Sequence, residues 1–259
     1  MPIQDISAAK IGFSAQSAQE VACRDCDLFQ LTFPVGVGCA DLKMLDRIVK
    51  RRKTIQRGQY LYRAGDPFLF VYAVKSGSIK TYASIEGGGR QITGFHLPGE
   101  LLGLDAIDTG VHQCNARALE TTSVCEVPFS GLEELGEIAV SVQRQLLRIM
   151  SKQLLRDQSR LALVCNKNAE ERLCAFLLNL STRFRQRGFS PTEFYLSMSR
   201  TDIGNYLGLV VETVSRLFRR FQEQGVLEVD RKHIRIPDLS RLRRLAGFQE
   251  PEASEPGER

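Results

Sequence analysis

Three hydrophobic rhythms follow one another along this chain. From Thr54 to Phe129 apolar residues come in short alternating runs, among them QYLYR, LFVYAVKSGSIKTYAS and RQITGFHL. Turns cut these runs at Ala64-Gly65-Asp66, Ser76-Gly77, Glu86–Gly89 and Pro98-Gly99-Glu100. A period of two broken by glycine predicts many short strands, hence an all-β sandwich or jelly roll. Over residues 138–166 the rhythm becomes that of one long helix, with Leu147, Met150, Leu154, Asp157, Leu161 and Val164 at 3-4-3-4-3 spacing. Such spacing makes the a/d seam of a coiled coil. Its charged member, Asp157, faces its twin in a parallel dimer, where two carboxylates in a partly dry seam repel. A helix packed inside one subunit, with Asp157 at its edge, would show the same stripe.

The third rhythm is SRTDIGNYLGLVVETVSRLFRRFQEQ, residues 199–224, and it predicts two short helices with a turn between them. Ser199 is a good N-cap, and Asp202 opposes the positive end of the first helix. Ile203, Tyr206 and Leu207 form an apolar stripe, and Gly208 permits the sharp exit. In the second helix Val214, Leu217, Phe218 and Phe221 point inward, leaving Glu212, Thr213, Ser215, Arg216, Arg219 and Arg220 mostly outward. This is the helix-turn-helix pattern, whose second helix lies in the DNA major groove. Glu212, Ser215 and Arg216 share one face near its N-terminus. A carboxylate suits cytosine N4, a hydroxyl adapts, and a guanidinium pairs bidentately with guanine.

Around these segments the chain reads more simply. Residues 1–22 are polar, small and without period. Asp41–Arg52 is expected as a short basic-ended helix. Lys167–Arg187 is expected as another, apolar at Leu173, Phe176, Leu177 and Leu180 and stopped by Gly188. Gly225 ends the recognition helix, and VLEVDRKHIRIPD makes two short strands around Asp230-Arg231-Lys232, a winged hairpin whose basic tip, Arg231 above all, suits phosphate. The tail EPEASEPGER is acidic, rich in Pro and Ser, and of disordered composition.

Charge sharpens the reading. The net charge is +5 over 259 residues. Residues 167–247 carry 15 Lys/Arg against 9 Asp/Glu, residues 1–166 carry 19 against 17, and residues 248–259 carry 1 against 4. The basic excess therefore falls on the helix-turn-helix segment, as phosphate contact requires. No apolar run of eighteen and no charged-then-apolar leader occurs, so a cytoplasmic protein with no membrane span is expected.

Chemistry in the β segment is sparse. A cyclic nucleotide needs a cation for its phosphate, and Arg117 is the sole candidate in GVHQCNARALE. A jelly-roll metal enzyme needs clustered histidines, whereas His96, His112 and His233 have no paired spacing, so no enzyme is expected. Seven scattered cysteines argue against a disulfide framework. Cys23 and Cys26 form a C-x2-C pair, which suits one metal centre or a redox dithiol, and Cys39 follows beyond a loop containing Pro34, Gly36 and Gly38.

Sensor roll, seam helix and winged helix-turn-helix in this order resemble the Crp/Fnr family of bacterial regulators, and within it the oxygen-responsive FNR/ANR regulators. The resemblance covers roughly residues 20–245 and rests on RQITGFHLPGELLGLDAI, ALETTSVCEVPF, KNAEERLCAFLLNLSTRFRQRGFSP and SRTDIGNYLGLVVETVSRLFRRFQ. It implies a 4Fe-4S cluster on three N-terminal cysteines and one strand cysteine. It also implies dimerisation promoted by the cluster without oxygen, binding to TTGAT-type half-sites, and recruitment of RNA polymerase. By motif, Cys23 and Cys26 take the first two ligand places and Cys125 the strand place. Glu212, Ser215 and Arg216 take the base-reading places, and Asp157 that of a seam aspartate keeping the cluster-free form monomeric. The family pattern is C-x2-C-x5-C, and its third place here is Thr32, a hard and weakly acidic donor. Either Cys39 completes the set, or the cluster is weak, or it has been lost. Where cAMP-binding relatives carry Arg-Ser this chain has Asn115-Ala116, so no cyclic nucleotide is expected.

The expectation is thus an α+β protein with five parts. Residues 1–22 form a flexible N-terminus, 23–137 a β jelly-roll sensor of cyclic-nucleotide-binding type, and 138–166 a dimerisation helix. Residues 167–247 form a winged helix-turn-helix and 248–259 an acidic tail. Its partners are double-stranded DNA, RNA polymerase and a second copy. A cluster-free regulator sensing haem, nitric oxide or another small ligand is the alternative. From another class, the roll would be a nucleotide-binding regulatory module of an enzyme.

Overall fold

Each alternating run of the N-terminal half becomes an antiparallel strand. The computed structural model describes residues 47–85, 87–138 and 140–248. Strands β1 (Lys50–Ile55), β8 (Thr122–Pro128), β3 (Phe70–Ser76) and β6 (Leu101–Leu102) form one four-stranded sheet in that order. Strands β2 (Tyr60–Tyr62), β7 (Asn115–Ala118), β4 (Ile79–Ser84) and β5 (Arg90–His96) form the other. Tyr62, Tyr72, Val74, Ile79, Ala116 and Val124, drawn from both sheets, make one buried cluster between them. A second cluster covers the outer face of the first sheet, where Val71, Ala73, Leu101 and Val127 meet Leu132 and Val142. Burial on both faces explains why β3 reads as a nearly continuous apolar run.

Helix α1 (Phe129–Ile138) leads into the long helix α2 (Val140–Asn166). Helix α2 turns Val142, Leu146 and Ile149 toward the roll. A second stripe, about 100° round the helix, stays open: Leu147, Met150, Leu154 and Leu161 are all exposed, Leu161 by 67%. Helix α3 (Ala169–Arg185) starts at a capping box, in which Asn168 accepts from Glu171 N and Glu171 accepts from Asn168 N. Then come β9 (Glu193–Tyr195), α4 (Arg200–Leu207), α5 (Val211–Glu223), β10 (Glu228–Asp230), β11 (His233–Arg235) and α6 (Leu239–Leu245). The three strands pair in the order β10-β11-β9. The core of this unit, with Leu173, Leu177, Val214, Phe218 and Phe221, runs on into Tyr82, Ile92, Phe95 and Leu97 of the roll.

Several expectations are corrected. Lys50–Arg52 belong to strand β1 instead of a helix, because Lys50 and Arg52 pair with Glu126 and Cys125 on β8. Completing a sheet outweighs the helix preference of Lys and Arg; residues 41–46 lie outside the described residues. Ile138 closes α1, and the seam helix starts at Val140. The helix expected over Lys167–Arg187 spans 169–185, since Asn168 is its cap. Helices α1 and α6 and strand β9 were not foreseen. Among the described residues no helix is long and apolar enough to cross a membrane.

Candidate nucleic-acid interface and sensor face

The helix-turn-helix is built by local chemistry. Ser199 accepts from Asp202 N while Asp202 accepts from Ser199 N, closing a reciprocal cap on α4. Gly208 ends α4 at φ 67, in the left-handed region that glycine enters without strain. Gly204 sets the approach of the second helix: a Cβ there would lie 2.6 Å from Leu209 O and 3.4 Å from Val214 Cγ2. Arg200 pins the pair from behind, its guanidinium 3.1 Å from the centre of the Phe218 ring. Burial pulls that guanidinium down to about 10. Gly204 and Arg200 carry no periodic signal, so sequence reasoning passed over both.

On α5 the inward set Val214, Leu217, Phe218 and Phe221 is buried. Glu212, Ser215 and Arg216 are exposed together, and Thr213 is half-buried, its hydroxyl accepting from Arg216 Nη2 at 3.3 Å. The N-cap Val210 makes no side-chain hydrogen bond, so the first amides of α5 stay open to an anion. Arg220 pairs with Glu170 of α3 at 2.7 Å and Arg219 with Glu223 at 3.0 Å, which leaves Arg216 the α5 arginine without an ion pair among the described residues. Arg231 sits exposed at the tip of the β10–β11 hairpin with φ 54. Exposed guanidiniums on the helix and on the wing suit base edges and backbone phosphate respectively.

The roll holds this unit against itself. Lys80 of β4 pairs with Asp202 at 2.5 Å. Burial pushes the Asp202 carboxyl up, but Lys80 and the Ser199 cap together hold it below its ordinary value. Asn205 of α4 accepts from Ile92 N at 2.6 Å and donates to Arg90 O at 2.6 Å. Glu100 binds Arg183 and Arg187. The first helix of the motif is therefore bolted to β4 and β5.

On the sensor side, Cys125 lies on β8, opposite Ala73 of β3 and Arg52 of β1. It is partly buried, within the outer apolar cluster that also holds Ile48, Val49 and Val127. A cysteine thiol there is a soft donor of the kind an iron–sulfur group takes. Cys23, Cys26, Cys39 and Thr32 lie outside the described residues. Cys174 is buried in the core, Cys165 is exposed, and Cys114 donates to Asp105 Oδ2 at 3.4 Å. Burial, with Asp105 adding to it, pushes the Cys114 thiol up to about 12. Inside the roll, Tyr62 stacks on His112 at 3.7 Å and on Tyr72 at 5.7 Å. Arg117 donates to Gly58 O at 2.6 Å, Ala116 is fully buried, and Asn115 accepts from Ala64 N at 3.4 Å. Residues 115 and 116 of β7 thus carry an amide and a methyl.

A β roll, a long helix with an open apolar stripe and a winged helix-turn-helix define a DNA-binding regulator. Residues 52–138 match the cyclic nucleotide-binding domain family and residues 171–245 the Crp-like helix-turn-helix domain family. The chain is 50% identical over 227 residues to the transcriptional activator protein Anr of Pseudomonas aeruginosa, covering 88% of this chain and 93% of that protein. It is 51% identical over 227 residues to the fumarate and nitrate reduction regulatory protein of Escherichia coli K12, covering 88% and 91%. The solved structure of FixK2 from Bradyrhizobium japonicum superposes with a TM-score of 0.70 at 34% identity, over 76% of this chain and 97% of that one. The chain belongs to the Crp/Fnr family of transcription regulators.

Proposed function

We propose that this regulator works as an FNR/ANR-like homodimer on palindromic TTGAT-like sites, controls oxygen-responsive genes and recruits RNA polymerase. Its DNA role puts it in the cytoplasm. The observation that carries the reading is the exposed ridge of Glu212, Ser215 and Arg216 on a helix whose other face is wholly buried. A rigid helix presenting a carboxylate, a hydroxyl and a guanidinium on adjacent turns is suited to reading base edges. The open stripe Leu147, Met150, Leu154, Asp157 and Leu161 on α2 supports pairing with a second copy, as a two-fold site needs. Arg231 on the wing holds phosphate and sets affinity more than sequence.

For sensing, Cys23, Cys26 and Cys125 hold a 4Fe-4S cluster, with Cys39 as the fourth ligand in place of Thr32. When bound, such a cluster would supply an iron–sulfur redox centre whose properties depend on the burial and hydrogen bonding around its ligands. A cluster-free sensor of haem, nitric oxide or another small ligand is the second reading, and Thr32 at the third family position is what favours it.

The test is DNA binding by fluorescence anisotropy. Arg216→Ala is expected to lose about 1–3 kcal/mol per half-site on TTGAT DNA and to relax preference at its guanine. Arg231→Ala is expected to weaken every sequence alike and to flatten the salt slope. Equal losses on specific and random DNA for Arg216→Ala would overturn the base-reading role.

A further inference from the structure

Strand β5 stands last in the sheet order β2-β7-β4-β5, so among the described residues one side of its backbone has no strand beside it. Such an edge needs cover, because its outward amides and carbonyls otherwise invite another chain. Side chains supply the cover here. Asn205 of α4 accepts from Ile92 N at 2.6 Å and donates through Nδ2 to Arg90 O at 2.6 Å. Its carboxamide therefore pairs with the edge as the peptide group of a neighbouring strand would. Gln91, between these two residues, donates through Nε2 to Asn205 O at 2.7 Å, a carbonyl in the last turn of α4.

The long helix grips the same edge one residue further on. Arg160 of α2 donates through Nη1 to Thr93 O at 2.7 Å, and its guanidinium lies 4.7 Å from the centre of the Tyr206 ring. Tyr206 is the next residue after Asn205 on α4. Residues 90–93 therefore carry α4 and α2 side by side, α4 through 90–92 and α2 through 93. Helix α4 in turn fixes the recognition helix, because Gly204 packs against Leu209 and Val214 with no room for a side chain. The Lys80–Asp202 pair is a second anchor at the start of α4. A helix held at two points cannot swivel about either.

In a two-fold pair, the distance and twist between the two α5 helices follow from one path taken twice: α2, Arg160, the β5 edge, Asn205, α4 and α5. Each base pair of spacer moves a half-site by about 3.4 Å along the duplex and turns it by about 35°. A loose link in the path, doubled by symmetry, accepts several spacers, whereas a tight one accepts few. Resting on the two-fold reading above, we propose that Asn205 and Arg160 are positioning residues that set which half-site spacing the dimer accepts. Glu212, Ser215 and Arg216 read the bases within each half-site.

Anisotropy of the full chain, kept anaerobic, tests it on inverted TTGAT half-sites with the best-bound spacer, with one base pair fewer or more, and on a single half-site. The parent is expected to favour its best spacer about tenfold or more over both neighbours. Asn205→Ala and Arg160→Gln are each expected to shrink that ratio to about threefold or less, with single half-site affinity within about twofold of the parent. Asn205→Asp, which sets an oxygen where Arg90 O needs a donor, is expected to do the same. Hydrogen exchange is expected to quicken at the Ile92 amide of Asn205→Ala and to stay unchanged along α5, which separates placement of the helix-turn-helix from its folding. A spacer ratio unchanged in these variants, or unchanged exchange at Ile92, overturns the proposal. An equal loss on the single half-site and on every spacer also overturns it, since Asn205 would then serve folding alone. A parent indifferent to spacer overturns the two-fold reading, and the proposal with it.

Discussion

Arg183 clasps Glu100 with two hydrogen bonds, Nε to Oε1 at 3.0 Å and Nη2 to Oε2 at 2.7 Å, across the junction between roll and DNA-binding unit. Arg187 adds a third at 2.7 Å, and all three side chains are at most 10% exposed. Ala73 lies between Cys125 on β8 and Leu101 on β6, and Leu101 directly follows Glu100. The candidate sensor thiol thus lies on the rung that Ala73 and Leu101 complete, and the junction carboxylate is one residue before that rung's end. Glu100→Ala leaves buried guanidiniums without a counter-charge and is expected to cost about 3–5 kcal/mol in urea unfolding. A loss below about 1 kcal/mol, the size of an exposed pair, would show that the junction is open to water.

Acid should weaken the same junction in two steps. Burial pulls His96 down to about 4, below its unfolded value near 6.5. The unfolded chain therefore binds the extra proton, and stability falls as pH drops from about 6.5 to 4, by about 3 kcal/mol at most. Burial pushes Glu100 up, but Arg183, Arg187 and Arg156 outweigh it and hold the carboxyl at about 2. Its contribution is complete above the ordinary carboxylate range and is lost only as pH falls from about 4.5 toward 2. Urea midpoints measured from pH 7 to 5 should show a slope that His96→Gln removes; an unchanged slope would assign it to another group.

Asp157 stands on α2 between Leu154 and Leu161, which are 60% and 67% exposed. Burial raises its carboxyl despite Arg160 and Arg156 nearby. If this stripe meets its twin, Asp157→Ala removes a like-charge pair and shifts the cluster-free protein toward dimer. Sedimentation of aerobic parent and variant at matched concentration decides it. An identical monomer fraction would leave Asp157 as a solvated edge residue.

The ligand set is tested by anaerobic reconstitution with the charge-transfer absorption as readout. Cys39→Ser is expected to lose the cluster and Thr32→Cys to keep or regain it, because each iron needs a soft ligand. A Cys39→Ser protein that holds its cluster as well as the parent rules Cys39 out. A parent without cluster beside a loaded Thr32→Cys would show that this protein has given up the sensor.

The sequence by itself determined what is decided within a few residues. The Ser199–Asp202 cap, the Gly208 turn, the buried face of α5 and the Arg231 wing tip are short-range matters of dihedral preference and helical period. Alternation likewise made the strands of the roll legible, and the 3-4 spacing marked the open stripe of α2. Only the tertiary structure decided that Lys50–Arg52 complete a sheet, since β8, some seventy residues on, supplies the partner strand. It alone revealed why residue 204 must lack a side chain, that Arg200 braces Phe218, and that Glu100 gathers arginines from α2 and α3 around one carboxylate. A charge or a glycine carries no period, so its role depends on which distant surfaces the fold presses against it.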